Sequence, residues 1–253
     1  MSDKADLHIR DITAGYGGTP VVVGVTFDVL SSAITLVIGP NGSGKSTLAK
    51  ALVGLIPKLA GTVLLGDDDL THVRSDQLVR RGIGYVPQVR DVFDPLTVSE
   101  NLQVSGYTLD KRTFETRREE VFAVFPRLAD MSRRLAVNLS GGERKMLAIA
   151  RVLLLSPSIV IIDEPTAGLS PRLAEEVLHR HVPRIATSGA GVLLIEQRAA
   201  DALTVAETVC VMSGGVVRLK TSARDPSRHG DIVQTMLGDH ADEKPRSTEG
   251  LPR

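Results

Sequence analysis

The hydrophobic positions of this chain change period twice. Over the first third they mark strands. Leu7, Ile9 and Ile12 predict a short edge strand, and Val21 to Val29 predicts another with Val23, Val25, Phe27 and Val29 on one face. Between them, Gly15, Gly17, Gly18 and Pro20 predict a turn. Ala33 to Ile38 is apolar without interruption, the mark of a strand buried on both faces. A glycine-rich loop follows, then a helix from about Lys45 to Leu55. Strands are predicted at Gly61–Leu65 and Ile83–Val86, with a polar helix near Ser75–Arg81 between them.

From about Asp91 to Pro157 the pattern turns helical and charged. Lys111–Phe125 carries Phe114, Val121, Phe122 and Phe125 as an apolar side, and Gly141–Leu155 reads as a strong helix. Together they predict a helical insertion. Alternation then returns, with strands at Ile159–Ile162 and Val192–Ile195 and a helix over Pro171–Ala186 bent at Pro183. A helix at Arg198–Val205 and a hairpin of Thr208–Met212 with Val216–Lys220 around Gly214-Gly215 complete the pattern. From Gly238 the chain becomes polar, with Pro245, Gly250 and Pro252, and residues 238–253 read as a disordered tail.

Composition narrows the function classes. The 253 residues carry 30 Lys and Arg against 30 Asp and Glu, so the basic surface expected of a nucleic-acid binder is missing. Hydrophobic residues make up 42% of the chain but aromatics only 3%, which calls for an aliphatic core. The single Cys210 rules out an intrachain disulfide. No apolar run approaches the roughly 20 residues of a membrane-spanning helix, and Met1 to Arg10 has no signal-peptide core. A soluble protein is expected, with any membrane role supplied by a partner.

Candidate chemistry begins at Gly39-Pro40-Asn41-Gly42-Ser43-Gly44-Lys45-Ser46-Thr47, which fits the phosphate-binding pattern G-x4-G-K-[ST]. Glycines let successive N–H groups point at phosphate oxygens, Lys45 neutralises the terminal phosphates and the Ser46 hydroxyl suits Mg²⁺. Four fixed positions coincide by chance in about one chain of this length in a hundred, and the flanking strand and helix make chance rarer. The apolar strand before Asp163-Glu164 ends in two acids, where a phosphate-loop fold holds its metal. Asp163 is the candidate metal residue and Glu164 the candidate for polarising the attacking water. Leu139-Ser140-Gly141-Gly142-Glu143 opens a helix. It reads either as a second anion site or as a plain cap with Glu143 at capping-box spacing, and the residues alone favour the cap.

Placed between the phosphate loop and the acid-tipped strand, Leu139–Glu143 resembles the signature of ATP-binding cassette (ABC) ATPases. The resemblance covers about residues 7–237 and runs in the family's order. Tyr16 stands as the aromatic loop, 39–47 as Walker A, and Gln88 in Tyr85-Val86-Pro87-Gln88 as the Q-loop. The signature follows at 139–143 and Walker B at 159–164. The fold implied is α/β: a P-loop NTPase cassette over 5–237 with a RecA-like core, an antiparallel β subdomain and a helical subdomain at about 91–157. The implied cofactors are ATP and Mg²⁺. By this resemblance Tyr16 stacks on adenine, Ser46, Gln88 and Asp163 surround the metal, and Lys45, Glu164 and Gln197 form the catalytic set. Ser140, Gly141 and Gly142 would close on nucleotide held by a second, facing cassette.

Two positions depart from the general family pattern. Gln197 stands where a switch histidine is usual, and Ser170 stands where the loop after Walker B usually has an aspartate. With Leu96-Thr97-Val98-Ser99-Glu100-Asn101-Leu102, they are similar to one subfamily: ATP-binding subunits of branched-chain and hydrophobic amino-acid uptake transporters and their urea or amide relatives. That implies an importer ATPase, cytoplasmic at the inner face of the plasma membrane. Its expected partners are a second cassette, identical or homologous, separate transmembrane permease subunits and, indirectly, a solute-binding protein, with no nucleic acid. The alternatives are a soluble ABC ATPase acting on ribosomes, DNA or iron–sulfur assembly, of which the single cassette, short insertion and neutral charge favour the last, and a nucleotide-binding scaffold without turnover. The intact Glu164 argues against the scaffold.

Overall fold

A computed structural model describes residues 5–89 and 91–237, so the tail expected at 238–253 lies outside it. In chain order the strands β1 (Leu7–Tyr16), β2 (Thr19–Val29) and β3 (Ile34–Ile38) lead into helix α1 (Lys45–Leu52). Next come β4 (Lys58–Leu65), β5 (Asp68–Asp69), α2 (Ser75–Leu78) and β6 (Ile83–Val86). Four helices lie between β6 and the next strand: α3 (Val98–Ser105), α4 (Lys111–Val124), α5 (Pro126–Asp130) and α6 (Gly141–Leu153). The chain continues through β7 (Ile159–Asp163), α7 (Pro171–Glu176), α8 (Val182–Thr187), β8 (Gly191–Glu196) and α9 (Ala199–Leu203). It closes with β9 (Thr208–Ser213), β10 (Val216–Ser222) and α10 (His229–Leu237).

Two sheets result. The larger runs β10-β9-β3-β8-β7-β6, parallel except for β10 at its edge. Its central strands β3, β7 and β8 are buried on both faces, which is why they read as unbroken apolar runs. The period of two divides β3 between two cores. Ile34, Leu36 and Ile38 face α6, α8 and the other helices, whereas Val37 faces α1 and the second sheet. That second sheet is antiparallel, ordered β2-β1-β4-β5.

Two strand expectations are corrected. Leu7–Ile12 is neither short nor an edge: β1 spans ten residues and pairs with both β2 and β4. Asp11, at φ 50°, sits in an irregular register between Ile9 and Ile12 that breaks the alternation. On β2, Val23 faces outward at 48% exposed while Val22 is buried. Ile12 pairs with Val25 and Ala14 with Val22, so β2 carries one extra residue at Gly24, whose φ is 62°. The bulge flips the face of every residue before it.

The helix expected over Pro171–Ala186 is interrupted one turn earlier than Pro183 itself. Val177–His181 forms a π-helical turn between α7 and α8. Pro183 has no N–H to return to His179, and the wider turn upstream accommodates the loss. Strand β5 and helix α10 had no clear signal in the hydrophobic pattern. No helix among the described residues is long and apolar enough to cross a membrane.

Candidate functional site

The site grows from the carboxyl ends of β3, β7 and β8. Beyond Ile38 the chain loops through residues 39–44 into α1. Gly44 caps α1 at φ 97°, and a Cβ there would meet Val22 Cγ1 at 2.7 Å, so a larger residue is excluded twice. No side chain caps α1 and its first turn holds no acid, leaving its N–H groups and positive dipole end for an anion. Asn41 and Gly42 are exposed at the loop's outer side, whereas Ser43 is buried with an Oγ that has no hydrogen-bond partner. Lys45 is also buried, and its ammonium donates to the carbonyls of Gly39 (2.8 Å) and Pro40 (3.0 Å). Burial lowers the Lys45 pKa, opposed by the charges of Glu164, Asp163 and Glu196. An uncapped helix start, an orphaned buried hydroxyl and a buried cation fit a phosphate chain. Thr47 is buried on α1, one residue past the hydroxyl of Ser46.

The end of β7 supplies the acids. Ser46 Oγ donates to Asp163 Oδ1 at 3.2 Å, and Tyr85 Oη donates to Oδ2 at 3.5 Å. Burial pushes the Asp163 carboxyl up, and burial together with the Asp163 charge raises the Tyr85 phenol. A carboxylate and a hydroxyl in contact are hard oxygen donors, the set that suits Mg²⁺. Glu164, the next residue, has φ 45° and donates its N–H to Ile195 O at 2.9 Å. This left-handed turn sends the two acids to different partners. Gln88 Nε2 donates to Glu164 Oε2 at 2.8 Å, so Gln88 lies on the water-polarising candidate.

At the end of β8, Gln197 is exposed and its N–H donates to Glu196 Oε2 at 3.3 Å. Tyr16, 49% exposed, stands at the tip of the β1–β2 hairpin, whose turn is Gly17-Gly18. Ser140 caps α6 in a closed capping box: its N–H donates to Glu143 Oε2 at 2.9 Å and its Oγ accepts from Glu143 N at 3.4 Å. Gly141 and Gly142 sit so close to Leu169 and Leu173 that added Cβ atoms would meet them at 3.1 and 2.8 Å. The fold therefore joins Ser46 to Asp163 and Gln88 to Glu164, with Lys45 within electrostatic reach of both acids. Among the described residues, the hydrogen bonds of Ser140 stay within its own turn.

Sequence reasoning missed the polar joint between α6 and the Gln88 loop. Lys145, 6% exposed at its side chain, pairs with Asp91 at 2.7 Å and also reaches the carbonyls of Pro87 and Gln88 at 3.4 Å. Arg151, one and a half turns on, donates to Asp91 O and Ser105 Oγ and lies 4.5 Å over the Phe93 ring. A lysine and an arginine on the buried side of an amphipathic helix were the available signal. No local pattern names partners 54 and 60 residues away.

Comparison with known proteins identifies the family. The model of the ABC transporter family matches residues 22–167. The probable branched-chain amino acid transport ATP-binding protein LivF of Archaeoglobus fulgidus is 36% identical over 232 residues, covering 92% of this chain and 98% of that protein. The lipopolysaccharide export system ATP-binding protein LptB of Escherichia coli is 32% identical, covering 83% and 88%. Among solved structures, the ADP conformation of MJ1267, an ATP-binding cassette of an ABC transporter, superposes with a TM-score of 0.80. It is 26% identical and the match covers 93% and 99% of the two chains.

Proposed function

The chain belongs to the ATP-binding subunits of ABC transporters, which hydrolyse ATP to power transport, and from that premise we propose that it energises uptake of branched-chain amino acids or a related amide. The observation that carries the solute class is the near end-to-end similarity to LivF. The similarity to LptB, named for export, supplies the competing reading. Transport then needs transmembrane permease subunits on other chains, a second cassette and a solute-binding protein, with this chain at the cytoplasmic face. A cavity of about 340 Å³ beside the Gln88 loop, lined by Leu55, Leu78, Tyr85, Pro87, Arg151 and Val152, supports contact with a permease there.

In this reading the α1 N-terminus and the Lys45 ammonium take the β- and γ-phosphates of ATP. Ser46 and Asp163, with Gln88 near, hold Mg²⁺, which supplies positive charge against the phosphate oxygens. Glu164 orients the attacking water and takes up its proton. Gln88, bonded to Glu164 on one side and tied to α6 through Lys145 on the other, links that step to movement of the helical segment. Tyr16 offers a ring for adenine, and Ser140 to Gly142 meet nucleotide on the facing cassette. Gln197 places an amide near the γ-phosphate, able to donate and accept but not to act as a base near neutral pH.

Reconstitution with the permeases and binding protein in proteoliposomes tests the solute. ATP-driven accumulation of leucine, isoleucine, valine or a small amide is expected. Active ATPase with no inward flux of any of them overturns this solute class. Glu164→Gln tests the water-orienting role: ATP binding persists, turnover falls by about 10² to 10⁴-fold, and ATP holds two cassettes together. Normal turnover in that variant removes Glu164 from the reaction.

A further inference from the structure

Glu196 is a buried carboxylate that the scheme above does not use. It ends β8, opposite Ile38 at the mouth of the phosphate loop, and is 1% exposed. Its two oxygens serve two different loops. Oε1 accepts the Thr166 N–H at 3.1 Å, and Oε2 accepts the Gln197 N–H at 3.3 Å. Thr166 lies two residues beyond Glu164, in the loop that continues to Leu169 against Gly141. Gln197 begins the loop after β8.

The location makes a charged side chain expensive. Burial pushes the Glu196 carboxyl up, and the neighbouring Glu164 adds in the same direction. The Glu196 charge reaches Lys45 at the start of α1, where it opposes the fall in the lysine pKa. A buried charge held by two backbone N–H groups and the Thr166 side chain still costs stability relative to a neutral side chain of the same shape. Packing alone therefore does not account for a glutamate here. What a carboxylate does and an aliphatic residue cannot is accept from two loops at once.

We propose that Glu196 is a positioning residue for ATP hydrolysis, fixing the Gln197 backbone against the loop that carries Glu164 so that the two approach the γ-phosphate in register. This rests on the roles given to Glu164 and Gln197 above. Glu196 acts through Thr166 and the Gln197 backbone rather than on the reacting atoms.

The test compares Glu196→Gln, Gln197→Ala and the double variant in the full transporter complex, measuring kcat, KM for ATP and the melting temperature of the full chain. A glutamine keeps one carbonyl acceptor and presents an NH₂ to the other N–H. Loss of one charge-assisted hydrogen bond should lower kcat about tenfold. KM should stay within about twofold and the melting temperature should change little, because relief of a buried charge offsets the N–H left unpaired. Gln197→Ala should itself slow turnover roughly 10 to 150-fold. In the double variant the second substitution should add less than about threefold, as expected for coupled groups. A wild-type kcat in Glu196→Gln overturns the proposal. So does a fall in ATP affinity together with melting temperature, which would mark a merely structural role. Full additivity with Gln197→Ala would sever the link between them. Failure of the underlying reading is separate: there Gln197→Ala or Glu164→Gln alone would turn over normally.

Discussion

Two helices in this molecule begin at glycine-rich turns, and their N-termini are built in opposite ways. At α1 the cap is Gly44, no side chain closes the end, the first turn lacks an acid and a buried lysine stands beside it. At α6 the cap is Ser140, the box with Glu143 is closed and a carboxylate lies in the first turn. Hydrogen bonding to the Ser140 N–H holds that carboxyl below its usual range. Both ends carry the same backbone dipole. The α1 end is left open to an anion by its own chain. The α6 end has already satisfied itself, and an incoming anion meets a negative charge at hydrogen-bonding range. A terminus of that kind contributes to a phosphate site only where other groups supply the positive charge, which is what pairing with a facing Lys45 would do.

The largest effect follows from removing the charge that separates the two ends. Lys45 is the buried cation at α1, and Lys45→Ala should abolish both ATP binding and hydrolysis by the assembled complex. Equilibrium titration with ATP and steady-state ATPase check it together. Near-normal turnover would mean that the α1 terminus alone suffices and that the contrast with α6 lies elsewhere.

A smaller effect probes what supports the α6 end. Beneath it lies a cavity of about 60 Å³ lined by Arg127, Ser140, Gly142, Glu143, Glu176 and His181, among others. His181 comes from the π-turn, packs its ring 5.0 Å from that of Phe125, leaves Nδ1 unpartnered and has Glu176 Oε1 3.9 Å from Nε2. Burial pushes its pKa down to about 4, with the nearby Arg180 and Arg184 adding to the fall and Glu176 opposing it. A depressed pKa means that the unfolded chain binds the proton first. Stability from this group is complete above the unfolded value of about 6.5 and is lost as pH falls toward 4, by up to about 3 kcal/mol. Urea melts of wild type and His181→Leu from pH 7 to pH 4 should diverge across that window, the variant losing less. Parallel curves would show that His181 does not titrate against folding.

Legibility from sequence follows the range of the forces involved. The buried strands β3 and β7 and the loop at 39–47 are local: an apolar run, glycines and a lysine at fixed offsets define them. The capping box at Ser140 and Glu143 is equally local, three residues apart. The face of β2 was misread because a single bulge at Gly24 exchanges Val22 and Val23, and alternation cannot report a bulge that it does not resolve. The π-turn was read as a bend at the right proline but one turn too late. Tyr85 on Asp163 and Lys145 on Asp91 were beyond reach, because each depends on strand order or helix docking that brings distant segments together.

The smallest expected effect separates the two termini most sharply. Ser140→Ala removes the hydroxyl that accepts the Glu143 N–H but leaves the Glu143 carboxylate on the Ser140 N–H. A lost serine cap costs about 0.5–2 kcal/mol, and the 3.4 Å bond places this one toward the low end. Chemical denaturation should therefore show a modest loss of about 0.5–1 kcal/mol. ATP affinity of the full chain on its own should be unchanged within about twofold, because the α1 site does not use Ser140. Turnover in the assembled complex should fall further than stability does if, as proposed, Ser140 meets nucleotide on the facing cassette. If ATP binding by the single chain falls in step with stability, the α6 terminus belongs to the chain's own site. The distinction between a terminus open by itself and one completed by a partner would then fail.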